Sequence, residues 1–66
     1  MTLTEKLEKK ITGKIENKYR NKFEKQARYI GNGIYGVPGT RMRSTDTREL
    51  FLMFCACQEG IKYETE

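Results

Sequence analysis

The spacing G-x-G-x-x-G occurs at Gly31-Asn32-Gly33-Ile34-Tyr35-Gly36, and glycines so spaced let backbone N–H groups close around a phosphate. A dinucleotide fingerprint of this form follows a strand, opens a helix and is answered by an acidic residue about 20 positions on, within a parallel sheet. Here a helix-forming segment comes first and Val37-Pro38-Gly39 follows, so no helix N-terminus would face the phosphate. A P-loop is excluded because the chain has no G-K-[ST] triplet. A kinase-type glycine loop would lack its catalytic loop and metal-binding aspartate. The motif therefore reads as a glycine-rich hairpin, and no cofactor is expected.

Other catalytic chemistry finds few residues to use. With no histidine in the sequence there is no Ser-His or Cys-His pair. Cys55 and Cys57 are one residue apart, so a disulfide between them would be strained. Two thiols without histidine also cannot complete a four-ligand zinc site. Both lie in the most apolar segment, where burial makes a thiol inert, and both are expected to pack in a core. Asp46, the sole aspartate, suits a helix cap, while Glu49 and Glu59 stand at opposite ends of one element. No metal site and no enzyme activity are expected.

The remaining candidates are binding residues. Lys6, Lys10, Lys14, Lys18 and Lys22 recur every four residues. On a continuous helix they form one cationic flank, in which like charges repel by a few tenths of a kcal/mol per pair. The flank is either a solvated surface or a phosphate-contacting stripe. Arg41 and Arg43, separated by Met42, would share one face of a short strand. Tyr29 and Tyr35 would flank the Gly31–Gly33 turn as aromatic contact area.

These residues must be positioned by few elements. Leu3, Leu7, Ile11, Ile15, Tyr19, Phe23 and Ala27 recur at intervals of four, which predicts a long N-terminal amphipathic helix over 3–28 capped by Thr2 or Thr4. The stripe drifts about 40° per step from a 3.6-residue turn. Gly13 would sit in the helix interior as a kink or a point of close approach. A Gly-rich β-hairpin is predicted over 29–43, with an Asn32-Gly33 turn and a type II turn at Pro38-Gly39. The run Leu50–Cys57 predicts a second apolar helix, or a buried strand, over 47–58. Asp46-x-x-Glu49 is its capping box and Gly60 its stop. The tail 61–66 alternates like a short C-terminal edge strand. The fold class is α+β in one small domain.

Sixty-six residues with a net charge of +4 leave little core. A helix over 3–28 would run about 39 Å, beyond the roughly 28 Å that a compact chain of this size spans. One helix and a hairpin would also leave Leu50, Phe51, Met53 and Phe54 uncovered. Both points predict a homodimer or a docked partner, with those four residues as an oligomer core or a partner surface. Residues 1–28 hold nine Lys or Arg against four Glu, and residues 29–66 hold four against five. The halves thus carry +5 and −1, and an anionic partner for the first half is expected. No apolar run reaches the length of a membrane span, no signal peptide is visible, and free thiols suit a reducing compartment. The expected location is cytoplasmic.

The basic helix followed by "GIYGVPGT" is similar to the front half of a VRR-type nuclease domain. Gly39 stands where that family has its metal-binding aspartate, and Cys55-Ala56-Cys57 where Glu-x-Lys is needed, so the resemblance implies no active nuclease. The expected function is a small non-enzymatic binding protein that inhibits or regulates a larger protein or ribonucleoprotein complex by occlusion. Phage and mobile-element inhibitors of host nucleic-acid-processing or defence systems, anti-CRISPR proteins among them, share this general profile. The alternative is a sequence-nonspecific nucleic-acid binder using the lysine-rich helix, with Tyr29 and Tyr35 stacking on unpaired bases.

Overall fold

Between Lys10 and Gly13 the predicted long helix breaks in two. The structure is a computed structural model that describes residues 2–61. Its order is α1 (Leu3–Lys10), α2 (Gly13–Gln26), β1 (Arg28–Gly31), β2 (Ile34–Gly36), β3 (Arg43–Ser44) and α3 (Thr47–Glu59). This is an α+β fold with a three-stranded antiparallel sheet in the order β1-β2-β3. The predicted tail strand at 61–66 lies, beyond Ile61, outside the described residues.

The break has a local cause and a packing cause. Thr12 adopts an extended backbone and its hydroxyl accepts the Ile15 N–H at 3.4 Å, so it is the N-cap of α2. Gly13 is then the first residue of that helix, where its low helix propensity costs little. Ile11 is the C-cap of α1, extended and buried. A continuous helix would have carried the period-four stripe around its axis. Interrupting it resets the phase, so Leu7 and Ile11 enter the core while Ile15, Tyr19 and Phe23 pack against it. Thr2 caps α1 in a full capping box with Glu5.

α3 is the centre of the molecule, and the choice between helix and buried strand falls to helix. Asp46 caps it by accepting the Arg48 N–H at 2.9 Å. Gly60 stops it in the left-handed region at φ 72°, its N–H and that of Ile61 returning to the last carbonyls. The expected capping box is only half formed. Glu49 does not reach back to Asp46 but accepts from Thr4 Oγ1 (3.2 Å) and Ser44 Oγ (2.9 Å), tying α1 and β3 to α3. Leu50 through Ala56 are all buried, with α1, α2, β2 and β3 packed around them. Phe23 meets Phe51 and Phe54 with ring centroids 5.1 and 5.6 Å apart, and Tyr19 stands edge-on to Phe54.

This arrangement corrects the reasoning that led to a dimer. Leu50, Phe51, Met53 and Phe54 are at most 7% exposed within one chain, because the broken helix supplies two covering elements instead of one. They form the core of the monomer and are not left over for an oligomer core. The overhanging helix is also gone, since the described residues span 29 × 26 × 16 Å. Neither uncovered apolar area nor helix length therefore calls for a second copy of the chain.

Candidate functional site

The glycine motif folds into the tip of the β1–β2 hairpin. Asn32 (φ 53°) and Gly33 (φ 77°) both take positive φ, the mark of a type I′ turn. The Gly33 N–H that a phosphate would need is already donated to the Tyr29 hydroxyl at 3.0 Å. Pro38-Gly39 makes the expected second turn, with Gly39 at φ 84° and the Thr40 N–H on the Val37 carbonyl at 3.1 Å.

Cys55 is buried and its thiol is pushed up to about 11 by desolvation, first among several causes; as a nucleophile it is silent. Cys57 is exposed, which corrects the expectation that both cysteines pack in the core. The helical turn between them points the second outward. Among the described residues, no three His, Cys, Asp or Glu side chains are grouped to hold a metal.

The charged side chains divide into those that hold the fold and those that face outward. Arg48 of α3 grips Glu16 of α2 with two bonds, Nη1 to Oε1 at 2.8 Å and Nη2 to Oε2 at 3.1 Å. It also reaches Glu8 of α1 at 3.3 Å. That hydrogen bonding holds the Glu16 carboxyl below its ordinary range and raises the Arg48 guanidinium. At the other end of α3, Glu59 accepts from the Tyr19 hydroxyl and from Lys18 Nζ (3.2 Å). The same contacts lower Glu59 and raise Lys18 and Tyr19. Lys22 Nζ donates to Gln58 at 3.0 Å.

The lysine ridge is thereby broken up. Lys6 and Lys10 belong to α1 and Lys14, Lys18 and Lys22 to α2, and the extended Ile11-Thr12 pair separates the two groups. Lys18 and Lys22 are engaged by the end of α3. The five do not form one continuous stripe.

The sheet does bring functional residue types together. Cross-strand register places Arg28 beside Gly36 and Gly36 beside Arg43, so one row across the sheet reads Arg-Gly-Arg. Ile30 is the extra residue of a bulge between the Tyr29–Tyr35 and Gly31–Ile34 pairs. Its Cδ1 lies over Gly36, 2.6 Å from where a Cβ would stand, and Arg43 Cγ lies 3.2 Å from the same point. With Val37, Pro38, Gly39 and Thr40 these residues line a cavity of about 260 Å³. Arg28 is fixed there by its Nη1, which donates to the Lys25 and Ala27 carbonyls at 2.7 and 2.8 Å, groups that the end of α2 leaves open. Tyr29 and Tyr35 pack on each other, centroids 5.1 Å apart, outside this cavity, and Tyr35 leans on the core.

Of the nominated binding residues, Arg43 enters this patch, Arg41 is exposed two positions before it, and the tyrosines do not line it. Arg28 and Ile30 were missed. Their signal is a pairing register, which becomes readable only when the Asn32-Gly33 turn is taken as the centre and residues are counted outward through the bulge. No family model matches this chain, and comparison with curated proteins and with solved structures finds no match.

Proposed function

We propose that this chain is a small non-enzymatic binding protein that acts by occupying a surface of a larger protein or ribonucleoprotein. The observation that carries the reading is where the unsatisfied contact area lies. The apolar side chains of α3 are spent in the core, and the exposed large apolar residues among those described are Tyr29 at 60% and Ile30 at 53%, both on β1. Ile30 is flanked by Arg28 and Arg43. Arginine beside exposed apolar area is the composition of interaction hot spots. In its finer form the proposal is an inhibitor from a phage or mobile element that blocks a host nucleic-acid-processing or defence complex, and it rests on small size and the scarcity of catalytic residue types.

Nonspecific nucleic-acid binding is the second reading. It is favoured by the internal use of the carboxylates. Glu8 and Glu16 face Arg48, and Glu5 and Asp46 are caps, so these four carboxylates are committed to the fold, while Glu59 offsets Lys18 directly. A pull-down from host lysate, split into nuclease-treated and untreated halves, separates the two. A specific protein retained after treatment supports occlusion, whereas loss of all bound material supports nucleic-acid binding. The double change Lys6→Glu, Lys14→Glu, at ridge lysines with no ion pair to α3 among the described residues, should strongly weaken salt-sensitive nucleic-acid binding and leave an occluding protein active.

A further inference from the structure

We propose that the Arg28–Gly36–Arg43 row is a docking notch for an acidic, extended segment of the partner protein. Carboxylates of that segment pair with the two guanidiniums, and an aliphatic side chain seats against Ile30, Val37 and Pro38. The inference rests on the occluding-protein reading and names the chemistry of its partner. Because the central residue is glycine, Gly36 itself projects nothing between the two arginines, and Ile30 Cδ1 folds over it as an apolar floor; neighbouring strands are about 4.8 Å apart, so the arginine Cα atoms are about 10 Å apart, and both residues line the cavity. Arg28 is held in place by two carbonyls through one nitrogen, which leaves Nη2 and Nε free to make a forked contact with a carboxylate.

Charge complementarity selects the occupant. The lining residues are Arg28, Ile30, Gly36, Val37, Pro38, Gly39, Thr40 and Arg43, two cations with no carboxylate. Arg41 and Arg43 form no ion pair among the described residues. A second copy of this face would bring arginine against arginine. The wall of the notch is aliphatic and the two hairpin tyrosines lie outside it, so it offers no stacking platform for bases. The bulge at Ile30 interrupts the β1 edge and disfavours simple strand addition, which leaves side-chain contacts to hold the segment.

The test uses the intact chain and a fluorescein-labelled peptide of alternating Glu and Leu. Its comparators are the same peptide with Gln for Glu, and a labelled oligothymidine strand. Anisotropy should show the acidic peptide bound most tightly, with backbone amide shifts confined to the β1–β3 face and the 37–40 turn. Arg43→Glu should weaken it by about tenfold, a change of about 1.4 kcal/mol. Lys14→Glu makes the same charge change on α2 and should leave binding within about twofold. Ile30→Ser, at an exposed site, should also weaken it. Equal losses in the Arg43 and Lys14 variants would overturn the notch in favour of overall charge. Tighter binding of oligothymidine, or self-association through this face, would overturn the acidic-segment assignment. A protein captured after nuclease treatment and still retained by Arg43→Glu would refute the notch while sparing the occlusion reading. Capture of nucleic acid alone would refute that reading.

Discussion

Gly36 shows how one side chain's absence serves two ends. The backbone there does not require glycine, but a Cβ would lie 3.0 Å from the Met42 carbonyl and 2.6 Å from Ile30 Cδ1. Ile30 can swing aside because its end is exposed; the strand carbonyl cannot. Gly36→Ala should therefore destabilise the chain by about 1–2 kcal/mol, measured by urea denaturation, and displace Ile30 from the cavity. A neutral result would mean that β3 shifts more freely than its pairing suggests. The two thiols make a second contrast. In the folded protein a thiol reagent should modify Cys57 promptly and Cys55 only after unfolding, because Cys55 is both inaccessible and held protonated. Mass mapping of the labelled peptides reads this directly, and early modification of Cys55 would show that the centre of α3 opens to solvent.

Helices and turns differ in how far sequence foretells them, and the reason is the range of the forces involved. The Asn32-Gly33 and Pro38-Gly39 turns, the Asp46 cap and the Gly60 stop were legible because each depends on backbone freedom or a hydrogen bond within four residues. The break at Ile11-Thr12 was not. Thr12-Gly13 is a passable cap followed by a poor helix former, but an unbroken stripe of apolar residues at intervals of four argued the other way. What decides is that α3 is apolar on all sides and needs two covering helices, a tertiary demand. Arg48's partners and the Arg28–Gly36–Arg43 row were illegible for the same reason, since they join residues up to 40 positions apart. Two substitutions separate a capped break from a kinked helix. Thr12→Ala should cost about 1 kcal/mol by removing the cap. Gly13→Ala, with open space around the new methyl, should be neutral or stabilising by up to about 1 kcal/mol. A Thr12→Ala chain as stable as the parent would indicate that packing alone sets the break.

Across the whole molecule, apolar burial is centred on α3, while one guanidinium fastens all three helices from outside. Arg48 lies between Glu8 of α1 and Glu16 of α2, and Arg20 adds a weaker contact to Glu16 at 3.9 Å. The Glu16 side chain is 15% exposed and the Arg48 side chain 42%, so the pair is half-screened by water and its net value is modest. Its pH dependence has a definite sign. The Arg48 hydrogen bonds hold Glu16 below the ordinary value of 4.5, so the folded chain binds this proton less readily than the unfolded one. The contribution is complete above that ordinary value and is lost as pH falls through the lower folded value; Glu59, held down by Tyr19 and Lys18, acts in the same direction. Arg48→Met keeps most of the stem and removes the charge. Near neutral pH it should lower stability by about 1 kcal/mol. As pH falls through the lowered folded value of Glu16 the gap between variant and parent should close, because protonated Glu16 no longer needs a cation. Thermal unfolding at stepped pH measures this. A gap that stayed constant across the range would show that Arg48 holds the helices by packing its stem and not by its charge.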